Sequence, residues 1–236
     1  MSNAFIRTQY LIGEESLDIL QKSNVLLFGV GGVGGFVAEA LVRSGIGSLT
    51  IIDGDKVEES NLNRQIFASK NTIGKSKVEV AKERLLSINP NANITAKEMF
   101  YLPENANEID FSNYDYIVDA IDTVTAKLHI IKLAKEKGVK VISCMGTGGK
   151  LDVEKLTVTT IDKTNNCALA RVMRRELKKQ GILDLKVVYS TELASIDEQA
   201  EKQRKCPPSM IFVPATAGLM IAKEVVFDLI NQKEIK

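Results

Sequence analysis

The sequence is poor in the groups that usually announce a metal centre or a covalent mechanism. It has one histidine and three cysteines in 236 residues. Cys144, Cys167 and Cys206 are an odd, widely spaced set. They lack the C-x-x-C pairing of a structural zinc site and do not suit a disulfide framework, so reduced thiols and a cytoplasmic setting are expected. His129 falls in a helical pattern, where a structural role is expected, and no histidine adjoins Cys206 to activate it. No cysteine is therefore expected to be catalytic, although Cys167 opens a basic helix, where a helix N-terminus can depress a thiol pKa. Charge of one sign is missing too. Lys and Arg number 31 against 30 Asp and Glu, a net charge of +1, so no global field advertises nucleic acid and only a local basic patch can. The most apolar run, 210–222, is interrupted by Lys223-Glu224. That is well short of the roughly 20 residues a membrane helix needs, and it reads as a buried helix. The N-terminus shows no basic region followed by an apolar stretch and a small-residue cleavage site, so no export signal is expected. What remains is a globular chain large enough for one α/β domain, or one domain with an appendage.

Strand-like runs at 25–29, 48–52, 92–98, 115–121 and 139–144 alternate with helical patterns at 33–44, 74–88 and 123–137. Such alternation predicts right-handed βαβ crossovers and a mainly parallel sheet, a Rossmann-like α/β class. Asn89-Pro90-Asn91 and Gly138 are ordinary helix stops. Gly146-Thr147-Gly148-Gly149 breaks the chain after the fifth strand, and the pattern changes: strand 151–161, helix 167–180, strand 185–190, a polar stretch 192–208 and a last helix 215–232. This divides the chain into a nucleotide-binding domain, 1–150, and a smaller α/β extension, 151–236, that completes the substrate site and packs its last helix on the first domain.

The chemistry concentrates in the first half. Gly29-Val30-Gly31-Gly32-Val33-Gly34 follows an apolar strand and opens a helix. The helix's positive end and backbone N–H groups can receive phosphate oxygens, while Asp53, ending the next strand, can hold ribose hydroxyls. Glycines serving only helix–sheet packing would leave Asp53 unexplained. Asn61, Arg64 and Lys77 then add a donor and two positive charges, which points to chemistry on the phosphates rather than hydride transfer. Gly74-Lys75-Ser76 resembles the end of a Walker loop, but Ser69 stands where the earlier glycine is required and no strand precedes it.

The block Asp53-Gly54-Asp55 with Ser60-Asn61-Leu62-Asn63-Arg64-Gln65 closely resembles the D-x-D-x-V-x-x-S-N-L-N-R-Q segment of the ThiF/MoeB family, relatives of the ubiquitin-activating enzymes. The resemblance extends through Lys77 and Asp119-Ala120-Ile121-Asp122. It implies that the residues matching Asp53, Asn61, Arg64, Lys77 and Asp122 hold ATP and magnesium while a substrate carboxylate attacks the α-phosphate. Asp55 and Thr123, the chain neighbours of this set, are placed in the nucleotide site with it. Taken singly, Arg64 and Lys77 could be surface charges and Asp122 a helix cap; their joint spacing argues otherwise. Charge building on the phosphate oxygens and on departing pyrophosphate is what preorganised cations and N–H dipoles stabilise. The arginine fork and the compact lysine charge suit that task, and Asp122 offers a hard oxygen ligand to magnesium.

The second half lacks the paired cysteines common in members that activate ubiquitin-like sulfur carriers. Lys163-Thr164, Ala168-Leu169-Ala170-Arg171, Val188-Tyr189-Ser190-Thr191-Glu192 and Phe212-Val213-Pro214 resemble the branch that dehydrates threonylcarbamoyladenosine in tRNA to its cyclic form. The resemblance implies adenylylation of the threonyl carboxylate, ring closure with loss of AMP, a homodimer and a docking sulfur-transfer protein as a further partner. Tethering the nucleophile and the anhydride in one nucleotide gives a large effective concentration. Arg171, Arg174 and Arg175, with Lys178 and Lys179, lie on the basic helix. They read either as a solvated face or, in an enzyme of tRNA, as phosphate contacts that Arg204-Lys205 would extend. Arg7 precedes Leu11-Ile12-Gly13; a family arginine near the N-terminus can reach the neighbouring subunit's ATP, but the local match is too short to assign that role to Arg7. Three other readings stay open: an adenylyltransferase acting on a sulfur carrier's C-terminal glycine, an NAD-dependent dehydrogenase, and a nucleotide-binding scaffold without catalysis.

Overall fold

The structure, a computed structural model, describes residues 3–193 and 208–231; Arg204, Lys205, Cys206 and most of the polar 192–208 stretch lie outside the described residues. Its centre is β1 (Asn24–Phe28), whose Val25, Leu26, Leu27 and Phe28 are wholly buried. Consecutive strand side chains point to opposite faces, and Val25 and Leu27 enter one core while Leu26 and Phe28 enter another. At about 1.5–3 kcal/mol for each large side chain removed from water, this strand is pinned from both sides. Such a strand reads as a continuous apolar run, the mark of a parallel sheet covered on both faces.

Around it lie β2 (Ser48–Ile52), β3 (Asn93–Lys97), β4 (Tyr116–Asp119), β5 (Lys140–Cys144), β6 (Leu156–Thr160) and β7 (Lys186–Ser190). They form one seven-stranded sheet in the order β3-β2-β1-β4-β5-β7-β6. Every neighbouring pair is parallel except β6 with β7. Helices α3 (Gly34–Ser44), α4 (Lys77–Ile88) and α7 (Phe212–Ile230) supply the first core, and α5 (Val124–Glu136) and α6 (Ala168–Lys179) the second. The strands after residue 150 extend the same sheet, with β7 pairing directly on β5.

Three differences from the sequence reading have local causes. Helix α4 starts at Lys77, not at 74, because Gly74 takes φ +83° and Ser76 bridges to Lys56, holding 74–76 in a turn. The strand expected from 151 is confined to 156–160, since Asp152 accepts from Glu154 N at 2.9 Å and winds 153–155 into a 3-10 turn. The last helix begins at 212 rather than 215 and takes Pro214 into its first turn, where a missing N–H costs nothing. Two N-terminal helices, α1 (Ile6–Ile12) and α2 (Glu14–Lys22), were not anticipated; Leu17 and Leu20 bury the inner face of α2.

Helix α7 crosses α3 at Gly218, where an added Cβ would lie 2.5 Å from Val33 O and 2.8 Å from Phe36 Cβ. Only glycine permits that approach, and it brings the start of α7 beside the glycine-rich turn.

Candidate nucleotide site

Strands β1 and β4 are neighbours from which the chain runs outward in opposite directions, so the loops at their carboxyl ends open a crevice. Open α/β sheets bind ligands at such a switch point. Gly29 ends β1 there with φ +86°, its N–H donating to Ile52 O at 2.7 Å. A Cβ at Gly29 would meet Ala120 O at 2.8 Å, and one at Gly34 would meet Gly29 O at 1.8 Å. The turn therefore closes on itself and on the loop after β4, and no side chain fits at either place. Helix α3 then starts without a side-chain cap and without an acidic residue in its first turn, leaving its positive end for an anion.

Asp53 is held at this turn by both carboxylate oxygens. Oδ2 accepts from Val30 N and Oδ1 from Asp55 N, each at 2.9 Å. Each oxygen has a second lone pair for a ribose hydroxyl. Gly54 is needed where Phe100 crosses, since a Cβ would lie 2.7 Å from the ring; that ring is itself 63% exposed.

Lys77, first residue of α4, is buried, and its Nζ lies 2.7 Å from Asp55 Oδ2. Its backbone N–H donates to Asp55 O at 3.0 Å, so the two are fixed through main chain and side chain together. Asn61 is buried and closes its own turn, its Oδ1 accepting from Glu58 N at 3.1 Å. Arg64 donates from Nη1 to Ser60 O and to Asn63 Oδ1, both at 2.9 Å. The place a Cβ would take on Gly32 lies 3.5 Å from Arg64 Cγ and 3.6 Å from Pro214 Cβ, so the arginine stem, the glycine turn and α7 meet. Asn63 Nδ2 donates to Ser209 O at 3.0 Å, a second tie to the C-terminal segment.

Asp122 and Thr123 are exposed on the loop after β4. Ile121 packs on Gly29, 3.0 Å from the place a Cβ would take. Among the described residues no three His, Cys, Asp or Glu side chains gather as a metal site. One carboxylate fits magnesium that takes its other ligands from phosphate and water. The structure thus brings Gly29, Gly31, Gly32, Gly34, Asp53, Asp55, Arg64 and Lys77 around one turn, with the Asp122 loop packed on it.

The basic helix divides. Arg174 turns inward, donating to Thr164 O and Thr164 Oγ1 at 2.6 Å. Arg171 and Arg175 are exposed, the latter paired with Glu176 at 2.7 Å. Cys144 is buried, and desolvation pushes its thiol up to about 12. Cys167 caps α6, its Sγ accepting from Ala170 N at 3.5 Å. His129 Nδ1 lies 2.9 Å from the Tyr101 hydroxyl in a packing contact. Arg7 is exposed on α1. Phe100, which carries no charge to mark it, escaped the sequence reading; Gln65 and Pro214 stood in the motifs it quoted but were given no place beside the glycine turn, where Gln65 Nε2 lies 3.7 Å from the place a Cβ would take on Gly31. Lys150 escaped too: it is buried, donates to Ser190 O at 2.7 Å, and desolvation pushes its ammonium below the usual lysine range.

The ThiF family pattern matches residues 6–236. A tRNA threonylcarbamoyladenosine dehydratase of Bacillus subtilis is 38% identical over 249 residues, covering 100% of this chain and 98% of the relative. The Escherichia coli tRNA N6-threonylcarbamoyladenosine dehydratase, TcdA, solved in complex with AMP, superposes with a TM-score of 0.91 at 31% identity, covering 98% of this chain and 96% of that one. Its complex with ATP gives a TM-score of 0.88 at the same identity and coverage.

Proposed function

The chain belongs to the ThiF family, and from that premise we propose that it is an ATP-dependent dehydratase of threonylcarbamoyladenosine in tRNA. ATP is its cosubstrate in this reading, which the related structure solved in complex with ATP supports. The observation that carries the chemistry is the buried Lys77 ammonium, paired with Asp55 and one short turn from the Asp53 carboxylate that braces the glycine turn. A dinucleotide site for hydride transfer has no use for that charge; a triphosphate under attack does.

In this reading the glycine turn and the start of α3 receive phosphate oxygens, Asp53 takes the ribose, and Phe100 offers an aromatic surface to the base. Asp122 would hold magnesium, which when bound would supply positive charge to the triphosphate. A threonyl carboxylate oxygen bonds to the α-phosphorus as the bond to pyrophosphate breaks. Arg64 and Lys77 stabilise the charge that develops, a role worth most in a water-poor site. An internal nucleophile of the same nucleotide then attacks the activated carbonyl, the ring closes, and AMP leaves carrying the former carboxylate oxygen. Ring closure is intramolecular, so positioning suffices and no thioester is needed. Residues 151–236 complete the substrate side, with Arg171 and Arg175 as phosphate contacts for tRNA. A homodimer, a cytoplasmic location and a docking sulfur-transfer protein belong to the same reading.

The test is incubation with ATP, magnesium and threonylcarbamoyl-modified tRNA, followed by nucleoside mass analysis. Loss of one water at the modified adenosine, with AMP and pyrophosphate formed in equal amounts, is the expected result. Pyrophosphate exchange that instead requires a carrier protein's C-terminal glycine would move the chain to the adenylyltransferases.

A further inference from the structure

Behind the nucleotide crevice lies a charged cluster that the reaction as described leaves unused. Lys127 on α5 and Asp119 at the end of β4 are wholly buried, with Nζ 2.8 Å from Asp119 Oδ2. The ammonium also donates to Ile121 O at 3.1 Å and to Cys144 O at 2.8 Å. All three donors of the lysine are thereby used. Asp119 Oδ2 accepts in addition from the Ser143 hydroxyl, and Ile121 N lies 3.4 Å from Asp119 Oδ1. A buried ion pair is a poor source of stability, because desolvating two charges offsets their attraction. Its place in the fold says more. Of the two carbonyls that Lys127 holds, that of Ile121 lies in the loop just after β4 and that of Cys144 is the last of β5. The loop after β4 carries Asp122, and the loop after β5 carries Gly146, Gly148 and Gly149.

We propose that Lys127, with Asp119 and Ser143, is a positioning device that ties the 120–123 loop to the end of β5, where the 145–149 loop departs, and so sets the place of Asp122 in the nucleotide crevice. The proposal rests on the reading of Asp122 given above. Lys127 touches neither nucleotide nor metal; it acts through the Ile121 carbonyl, one residue from Asp122. A lysine is suited to this, because its three donors can bind two carbonyls and a carboxylate at one point, which no apolar residue of equal volume can do.

The test compares the full chain with the neutral pair Asp119→Asn/Lys127→Met, which leaves no lone charge in the core, and with Asp122→Asn. In the absence of nucleotide and metal, hydrogen exchange at 120–123 and 145–149 is expected to quicken at least tenfold in the paired variant, with the remainder of the sheet unchanged. Calorimetry is expected to show ATP affinity within threefold in the absence of magnesium, and the magnesium needed for half-maximal tightening raised at least fivefold. Turnover should fall with kcat rather than with KM for ATP. Unchanged loop exchange and an unchanged magnesium response, beside a clear loss in Asp122→Asn, would overturn the positioning role alone. No magnesium effect in Asp122→Asn itself would overturn the reading of Asp122 and this proposal with it. Should the paired variant fail to fold, Ser143→Ala carries the same measurements, with at least a twofold change expected in loop exchange and magnesium response and none overturning the proposal.

Discussion

The Lys77 ammonium and the Asp55 carboxylate are 2.7 Å apart, the lysine side chain 9% exposed and the aspartate 53%. The pair is lopsided: the cation is enclosed and its counter-ion faces water. In the proposed reaction a phosphate entering the crevice shares the lysine while Asp55 relaxes toward solvent. Lys77→Ala should lower kcat about a hundredfold, near the ~3 kcal/mol typical of a preorganised electrostatic contact, while ATP affinity changes far less. Single-turnover rates at saturating ATP, beside calorimetric affinities, check this; equal losses in rate and affinity would make Lys77 a binding residue only.

In the proposed reaction Asp53 behaves differently, because a ribose contact is the same in the ground state and the transition state. Removing it frees Val30 N and Asp55 N as well as any ribose contact. Asp53→Ala should weaken ATP binding roughly tenfold, at about 1.4 kcal/mol per decade, with kcat at saturating ATP reduced much less. Equilibrium titration and steady-state kinetics separate the two.

The glycine turn is a steric requirement before it is a phosphate site. Gly34→Ala would place a carbon 1.8 Å from Gly29 O, and backbone must move to relieve it. A fall in Tm of several degrees, from a loss of about 1–3 kcal/mol for overpacking, is expected even without nucleotide. ATP should recover little of it.

Glu39 of α3 lies buried between Arg43 and Arg84, with Oε1 2.7 Å and 3.2 Å from their guanidinium groups. Desolvation raises its pKa, but the two arginines together outweigh it and hold the carboxyl below the ordinary 4.5. A folded-state pKa below the unfolded one means stability present above the unfolded value and lost as pH falls through the folded one. The stability gap between wild type and Glu39→Gln should therefore be full at neutral pH and close progressively below about pH 4.5. Urea midpoints from pH 7 to pH 3 read it directly.

Arg171 and Arg175 are the outward arginines of α6, beside the exposed Lys178 and Lys179, whereas Arg174 is engaged with Thr164. Reversing both outward residues to Glu should weaken tRNA binding and lower the slope of log affinity against log salt by about 2, one for each phosphate contact. ATP affinity should not move. Unchanged tRNA affinity would return the helix to a solvated face.

The parallel sheet was legible because its central strands are short apolar runs between turn signals, and Asn89-Pro90-Asn91 and Gly138 mark the ends of two of the helices between them. That the glycine turn, Asp53 and Asp55 lie together was legible because the turn and Asp53 each end an apolar strand and Asp55 follows two residues on. Helices α1 and α2 were not, since Gly13 at φ +85° separates two short segments and α2 buries only Leu17 and Leu20. Lys127 reads in sequence as one more surface lysine on a helix. Its burial depends on Asp119 and on Cys144 O, 17 residues away in the chain, and pairings of that range leave no local trace. Phe100, on the loop after β3, and Pro214, in the first turn of α7, come beside the motif for the same reason, through elements that only the closed sheet brings together.

The central claim is that the substrate carboxylate attacks the α-phosphorus of ATP, and oxygen bookkeeping tests it most directly. With both threonyl carboxylate oxygens of the modified tRNA labelled with heavy oxygen, one label should leave in AMP and the other stay in the cyclic nucleoside, with pyrophosphate unlabelled. Label appearing in inorganic phosphate with ADP formed, or cyclised nucleoside beside unlabelled AMP, would contradict adenylylation and the roles given to Arg64 and Lys77.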